Sequence, residues 1–277
     1  MTGANSTVVT ELVALGLERR EARWLVEEFL PGGDPEARQA LAGAVHRRLE
    51  GEPLQYIIGH WPFRSLDLDV DSRVLIPRPE TEELVGVALG ELASSVTIAP
   101  LLFDLGCGSG AIGLALLDEL RSRGVAATLV AVDESRGALD VARANARKHQ
   151  LHSASFVESS WFSSIDGSLR GRVDLIAANP PYVGESEMAD LDPVLGYEPQ
   201  GALVAPDAEG EVGFEDLATI VREAILWLRP GGSLVMEHGD SQRSALLALA
   251  EHRGYVDVRD VDDLSGRPRV LVARRSA

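Results

Sequence analysis

The sequence has a single cysteine and no long apolar run. Because Cys107 stands alone among 277 residues, the chain cannot close an intramolecular disulfide, which fits a reducing compartment. No apolar run approaches the ~20 residues that span a membrane, so we expect no membrane partner. The residues after Met1 carry neither the basic start nor the apolar stretch of a signal peptide. We therefore expect a cytoplasmic protein.

Basic residues are also scarce relative to acidic ones. The chain has 26 Lys and Arg against 43 Asp and Glu, which gives a net charge of −17. Proteins bind the phosphate backbone by displacing its counterions with cationic side chains, so this balance argues against direct nucleic-acid binding. A neutral or basic protein partner fits better, although the acidity can also serve solubility alone.

Residues 1–52 predict a small helical domain. Apolar residues recur at three- and four-residue spacing from 7 to 50, and the pattern breaks at 31–35. Asp34 is a candidate N-cap and Pro35 a first-turn proline for the helix that follows. A domain this short has little core of its own. We expect it to pack on the rest of the chain and to recognise the substrate.

Residues 53–82 predict a hairpin followed by a stiff linker. Apolar and polar residues alternate from 63 to 70, which is typical of a half-exposed strand forming one arm of a hairpin. Arg78 stands between two prolines, which hold it in a fixed direction before a helix that begins near Thr81. Arg78 is therefore a candidate for more than a connecting role.

Residues 100–277 alternate between strand and helix patterns, which predicts an α/β domain over 83–277 with a mostly parallel sheet and helices on both faces. The segments 255–258 and 269–273 predict a closing strand pair. The residues 229–232 predict a turn. The long segment 183–213 lacks periodicity, and a loop of this length is usually functional or disordered.

The tetrad Asn179, Pro180, Pro181 and Tyr182 follows a buried strand predicted over 173–178. The two prolines fix the backbone and remove two donors, and Asn179 is pushed into an extended conformation. Such a corner can receive a planar amino group that donates to the Asn179 oxygen and the Pro180 carbonyl, with Tyr182 stacked on its face. Taken alone, the tetrad is more often a simple turn.

A glycine-rich turn follows the first strand of this domain, and its residues are Asp104, Gly106, Cys107, Gly108, Ser109 and Gly110. Glycines there let the backbone approach a ligand closely. The spacing is not that of the dinucleotide fingerprint and lacks the Lys of a phosphate loop, so the turn alone could bind a dinucleotide, another nucleoside or nothing. Asp133, at the end of the next strand, could hold a ribose or cap a helix. Together with the tetrad, these features predict a nucleoside ligand beside a pocket for a planar amino group.

The combination resembles the release-factor glutamine N5-methyltransferase family (PrmC or HemK) of the class I S-adenosylmethionine-dependent methyltransferases. The resemblance runs from about Pro53 to Arg269. Further matches are Pro77–Glu82, Trp161-Phe162, Tyr197–Pro199 and Glu237–Gly239.

The resemblance implies a Rossmann-like domain that methylates the glutamine of the Gly-Gly-Gln motif in peptide-chain release factors, with S-adenosylmethionine as cofactor and no metal. The implied cofactor-binding residues are Asp104, Gly106, Cys107, Gly108, Ser109, Gly110, Asp133, Trp161 and Asn179. The implied catalytic residues are Asn179, Pro180, Pro181 and Tyr182. Ser160 stands where the family often has an Asp, and its hydroxyl can still accept the hydrogen bond of the adenine amino group.

The chemistry suits these residues. An amide nitrogen is a weak nucleophile because its lone pair is delocalised, and two hydrogen bonds to the tetrad would orient it toward an already activated methyl group. No strong base is needed before transfer, so we expect His238 to be structural.

Three alternatives stay open. An adenine N6-methyltransferase shares the tetrad, but the net charge of −17 argues against it. A ribosomal-protein glutamine methyltransferase is disfavoured by the N-terminal helices and by Pro77–Glu82. A non-catalytic cofactor-binding module is disfavoured by the intact Asn179–Tyr182.

Overall fold

The structure is a computed structural model that describes residues 3–31, 35–94 and 97–277. Its α-helices are α1 (Gly3–Ala14), α2 (Arg19–Phe29), α3 (Pro35–Leu49), α4 (Leu54–Ile58), α5 (Pro79–Ala93), α6 (Ala111–Ser122), α7 (Arg136–Lys148), α8 (Glu215–Trp227) and α9 (Arg243–His252). Its strands are β1 (His60–Phe63), β2 (Leu66–Asp69), β3 (Leu101–Leu105), β4 (Thr128–Asp133), β5 (Ala154–Glu158), β6 (Val173–Ala178), β7 (Leu228–Glu237), β8 (Tyr255–Asp262) and β9 (Pro268–Arg275). Within the described ranges, no helix is long and apolar enough to cross a membrane.

Helices α1 to α4 share an apolar cluster separate from the sheet. In α2, Ala22, Leu25 and Val26 recur at three- and four-residue spacing, so they lie on one face, and that face is buried against the other helices. Helix α3 begins at Pro35, as the sequence predicts. The predicted cap, Asp34, lies outside the described residues.

The alternating run over 63–70 contains strand β2, which is one arm of a hairpin as predicted, together with the turn that precedes it. The chain reverses at Arg64 and Ser65, and Arg64 adopts a φ of 51°. These two adjacent polar residues interrupt the alternation at the turn. Strand β2 is tied to α7, because the backbone N–H of Asp69 donates to Oδ1 of Asn145 at 2.7 Å.

The main sheet has the order β5-β4-β3-β6-β7-β9-β8, with β9 antiparallel to β7 and β8 and the other pairs parallel. The predicted α/β fold with a closing antiparallel pair is therefore confirmed. The strand order reverses between β3 and β6, where Leu105 pairs with Ala178. Ligands of open α/β sheets bind where the order reverses, beyond the carboxyl ends of the strands. The glycine-rich turn and the tetrad both leave the sheet there.

Apolar side chains cover both faces of the sheet. Helices α5, α6 and α7 pack on one face, and α8 and α9 pack on the other. The largest fully buried side chain is Trp227, whose ring stacks on Phe162 with centroids 5.6 Å apart. Both faces are thus closed by helices, and the ligand-binding edge is left open between them.

The turn predicted at 229–232 is wrong. These residues lie inside β7, where the pairing with β6 shifts register between Val173 and Leu175. Gly231 has a φ of 76°, and a Cβ on Gly232 would lie 2.8 Å from the carbonyl oxygen of Val173. The glycines therefore make a bulge that continues the strand.

The segment 183–213 contains short 3-10 helices, at Glu185–Asp190, Pro193–Tyr197 and Gln200–Ala202. Within the segment, the backbone N–H of Ala205 donates to Val183 O at 2.9 Å. The buried Glu198 carboxylate accepts from Ile76 N at 2.9 Å and pairs with Arg78, so the segment is fastened to the linker. Arg78 thus has the second use that its flanking prolines suggested.

Candidate active site

A cavity of about 200 Å³ opens at the carboxyl ends of β3, β4 and β6. Among the residues implied by the resemblance, those on its wall are Gly106, Gly108, Asp133, Ser160, Trp161, Asn179 and Pro181. The wall also includes linker residues Val74 and Leu75 and the segment residues Pro199, Gly201 and Ala202. The cavity therefore joins the glycine-rich turn, the tetrad, the linker and the long segment.

The glycine-rich turn has the backbone conformation that its glycines allow. Gly106, Gly108 and Gly110 have φ values of 68°, 53° and 84°, all in the left-handed region that side chains with a Cβ disfavour. The turn leaves backbone groups of Gly106 and Gly108 on the cavity wall. A ligand can therefore approach the main chain of Gly106 and Gly108 without meeting side chains of their own.

Asp133 links this turn to the end of β4. Its Oδ2 accepts from Gly108 N at 2.9 Å, and its Oδ1 accepts from Ser135 N at 2.8 Å. Burial raises the pKa of Asp133, and the two backbone donors oppose that shift. Each carboxylate oxygen keeps a free lone pair, so Asp133 can accept two further hydroxyl groups. Asp133 is not the cap of α7. Ser135 is the cap, because its side chain accepts from Ala138 N.

Four of the implied cofactor-binding residues are buried and do not lie on the cavity wall: Asp104, Cys107, Ser109 and Gly110. Of the tetrad, Pro180 and Tyr182 are also absent from the wall. Asp104 is fully buried and accepts from Gly113 N at 2.8 Å, while its Oδ1 has no partner among the described residues. Burial raises the pKa of Asp104 to about 7. Burial also raises the pKa of the Cys107 thiol. The carboxylate of Asp104 thus ties the end of β3 to α6.

The tetrad is held by a chain of hydrogen bonds. Nδ2 of Asn179 donates to Oγ1 of Thr81 at 3.3 Å, and the Thr81 hydroxyl donates to Glu237 at 2.7 Å. The Tyr182 hydroxyl donates to the other Glu237 oxygen at 3.3 Å. Pro180 is buried, and Pro181 faces the cavity. The Asn179 oxygen takes no part in this chain.

The main chain of Tyr182 is fixed from the opposite side by Gln242. The Gln242 amide donates to the carbonyl oxygens of Tyr182 at 3.0 Å and Val212 at 2.8 Å, while its oxygen accepts from Gly239 N. Gln242 is 2% exposed, so these contacts are shielded from water. The position of Tyr182 therefore depends on the far end of the segment 183–213.

Trp161 lies over the glycine-rich turn. A Cβ added to Gly106 would be 3.4 Å from the Trp161 ring, and the indole Nε1 donates to Oδ1 of Asp216 at 3.0 Å. Burial raises the pKa of Asp216, and the bond from Trp161 opposes that shift. Ser160 also lies on the cavity wall. An aromatic face beside small polar groups can hold a purine.

His238 is buried away from the cavity. Its ring nitrogens lie 2.7 Å from Asp260 and 2.8 Å from the carbonyl oxygen of Gly239. Both ring nitrogens are thus engaged, and the contact with Asp260 ties the end of β7 to β8. This is the structural environment expected from the sequence. Among the described residues, no group of His, Cys, Asp and Glu is placed to hold a metal.

Three residues around the site carry no motif of their own in the sequence, namely Thr81, Asp216 and Gln242. Thr81 lies 98 residues from Asn179, and Asp216 lies 55 residues from Trp161. Thr81 belongs to the stretch Pro77–Glu82, which matches the family, although its contact with Asn179 is not evident from the sequence. Asp216 and Gln242 stand in ordinary helical surroundings, where nothing local marks them.

Comparison with known proteins adds independent information. A methyltransferase domain model matches residues 102–258, and a PrmC N-terminal domain model matches residues 33–59. The methyltransferase from Pyrococcus furiosus superposes with a TM-score of 0.53 at 15% identity, covering 85% of this chain and 100% of that one. The 16S rRNA N2 G1207 methyltransferase of T. thermophilus, solved with AdoMet and guanosine, gives 0.55 at 16% identity, covering 78% and 49%. Similarities this remote concern the fold alone.

Curated relatives are much closer in sequence. The release factor glutamine methyltransferase of Xylella fastidiosa strain 9a5c is 41% identical, covering 86% of this chain and 82% of its own. That of Aliivibrio fischeri is 38% identical, covering 83% and 76%. That of Burkholderia pseudomallei is 36% identical, covering 94% and 88%. The matches thus include both the helical unit and the sheet, and the chain belongs to the release factor glutamine methyltransferase family.

Proposed function

We propose that this protein transfers a methyl group from S-adenosylmethionine to the side-chain amide nitrogen of the glutamine in the Gly-Gly-Gln motif of peptide-chain release factors. The proposal rests on Asn179. Its side-chain oxygen accepts no hydrogen bond from the described residues, Asn179 lies on the wall of the cavity, and the glycine-rich turn lines the same cavity. Membership of the family supplies the identity of the substrate, and the cavity supplies a place for the chemistry.

The residues around the cavity fit the proposed cofactor. Asp133 keeps two acceptor positions for the ribose hydroxyls, and Trp161 offers an aromatic face for the adenine with Ser160 beside it. Gly106 and Gly108 leave room for the methionine part along the main chain. We assign Asp104, Cys107, Ser109 and Gly110 to the support of this turn. When bound, S-adenosylmethionine supplies an activated methyl group.

The tetrad would hold the reacting nitrogen. The two amide hydrogens of the glutamine donate to the Asn179 oxygen and the Pro180 carbonyl, and Pro181 and Tyr182 shape the pocket around them. Such positioning converts an encounter of two molecules into a reaction within one complex, which is worth several kcal/mol. The nitrogen gains a methyl group and becomes acidic, so its extra proton leaves to water. No residue has to remove a proton beforehand.

The helical unit and the linker are assigned to the protein substrate. We propose residues 1–52 as the recognition domain, residues 53–82 as hairpin and linker, and residues 83–277 as the methyltransferase domain. The net charge of −17 suits a protein partner better than a nucleic acid.

The direct test is incubation of the protein with labelled S-adenosylmethionine and, separately, purified release factor, ribosomal protein and DNA. We expect label on the release factor alone. A release factor whose Gly-Gly-Gln glutamine is replaced by alanine is the control and should stay unlabelled. Label on DNA or ribosomal protein, with none on the release factor, would contradict the proposal.

Replacing Asp133 with alanine is expected to weaken cofactor binding about 10–100-fold, because charge-assisted hydrogen bonds to the ribose are worth roughly 1.5–3 kcal/mol. Titration calorimetry with S-adenosylhomocysteine measures this. Asp140→Ala is a matched control, since it removes the same charge from an Asp on the exposed side of α7 whose partner is Arg143. Equal affinities of the two variants would contradict a ribose contact and would show that Asp133 only holds the backbone of Gly108 and Ser135.

A further inference from the structure

We propose that Thr81 and Glu237 are positioning residues that hold the Asn179 amide with its oxygen toward the cavity and its NH2 group away from it. The inference deepens the proposed function, on which it rests. The inference concerns the side-chain amide of Asn179, whose oxygen and NH2 group differ in chemistry. An amide oxygen accepts a hydrogen bond, and an amide nitrogen cannot.

The direction of each bond follows from counting hydrogens. The Thr81 hydroxyl has a single hydrogen, and its oxygen lies 2.7 Å from Glu237 Oε2. An ionised carboxylate only accepts, so the Thr81 hydrogen points at Glu237. The Thr81 oxygen can then only accept from the third group, which lies 3.3 Å away on Asn179. That group must be the NH2, and the oxygen is left facing the cavity.

Protonation of Glu237 would reverse this order. A neutral carboxyl can donate to Thr81, whose hydrogen is then free to point at Asn179 and favours the amide oxygen there. The NH2 group would turn into the cavity, where it repels the amide hydrogens of the substrate glutamine. The proposed positioning therefore requires the ionised form of Glu237.

Groups on several elements shift the pKa of Glu237. Burial raises its pKa, and Glu80 on α5 acts in the same direction. Thr81 on α5, Arg269 on β9 and Tyr182 beyond β6 act against it. Glu237 is 2% exposed, so the group titrates out of contact with bulk water. Activity should fall as the pH is lowered through this raised pKa, which lies above that of an ordinary carboxyl.

The experiment compares Thr81→Val, Thr81→Ser and Glu237→Gln with the wild type in single-turnover methylation of the release factor across pH. Valine matches threonine in shape but has no hydroxyl, so Thr81→Val should lower the rate constant about 10-fold, roughly the size of one hydrogen bond. Serine restores the hydroxyl and should recover most of the loss. In Glu237→Gln the side chain cannot ionise, so the fall in activity at low pH (the acid limb) should disappear. Thr219→Val is the matched control, because Thr219 faces Glu215 at 3.5 Å on α8, away from the cavity wall.

A second readout needs no substrate. The side-chain NH2 signals of Asn179, assigned by their absence in Asn179→Asp, should shift in Thr81→Val and stay in place in Thr219→Val. The positioning role is overturned if Thr81→Val keeps the wild-type rate, acid limb and Asn179 signals, or if Thr81→Ser is as defective as Thr81→Val. A wild-type protein that leaves the release factor unmethylated would contradict the proposed function instead, and the Asn179 signals would still report on the amide.

Discussion

Replacing Asn179 with alanine is expected to lower the rate of release-factor methylation by about 100-fold or more, while the protein still folds and still binds the release factor. Alanine removes the acceptor that orients the reacting nitrogen, and nothing else in the tetrad can replace it. Both prolines lack side-chain acceptors, and the Tyr182 hydroxyl is engaged with Glu237. Single-turnover methylation measures the rate, and pull-down of the release factor measures binding.

The companion variant Asn179→Asp separates acceptance of a hydrogen bond from the other properties of the amide. A carboxylate accepts as well as an amide oxygen does, but it cannot donate to Thr81 and adds a charge beside the sulfonium of the cofactor. We expect more activity than in Asn179→Ala and clearly less than in the wild type. An undiminished rate in Asn179→Ala would mean that the tetrad is only a turn.

Replacing Gly213 with alanine is expected to reduce methylation roughly 100-fold, because a displacement of about 1 Å near the reacting groups can have that effect. Gly213 has a φ of 62°, and a Cβ there would lie 2.8 Å from the Tyr182 carbonyl carbon and 2.9 Å from Gly184 N. Neither contact involves a flexible side chain that could move aside. The main chain of Tyr182 must therefore shift, and the pocket shifts with it.

Gly210→Ala is the matched control for this prediction. Gly210 belongs to the same segment and has a φ of 85°, but nothing lies within 4 Å of a Cβ added there. Both variants carry the left-handed backbone strain of about 1–2 kcal/mol, and only Gly213→Ala meets Tyr182. Thermal unfolding measures the shared strain, and methylation measures the difference. Equal activities would show that Tyr182 tolerates the displacement.

The order of helices and strands could be predicted from the sequence because it depends on local periodicity. The ends of strands β3 and β6 at the site could also be predicted from a local signal, because a glycine, Gly106, follows the first strand and a proline, Pro180, closely follows the second. The hairpin turn at Arg64 and the bulge at Gly231 could not. Only the polar pair Arg64 and Ser65, with no glycine or proline, stands at the first, and glycines suit a turn and a bulge equally well.

The support of the site was beyond prediction for a different reason. Gln242 holds the main chain of Tyr182 across 60 residues, and Thr81 reaches Asn179 across 98. Such pairs are brought together by the topology of the sheet, and no local pattern encodes them. Sequence motifs could thus indicate candidate residues for the ligands. Thr81 and Glu237 lie within the matched stretches Pro77–Glu82 and Glu237–Gly239, but their contact with each other and with Asn179 exists only in the folded chain.

The fastening of the segment 183–213 has a consequence for how the two substrates sense each other. Tyr197 donates to the backbone of Glu50 in the helical unit at 3.0 Å. Glu198 accepts from Ile76 N in the linker, and Pro199 forms part of the cavity wall. Three consecutive residues thus connect a surface assigned to the release factor with the chamber assigned to the cofactor. A release factor that displaced Tyr197 would alter the affinity for cofactor, and the cofactor would alter the affinity for release factor by the same factor, since such coupling is reciprocal.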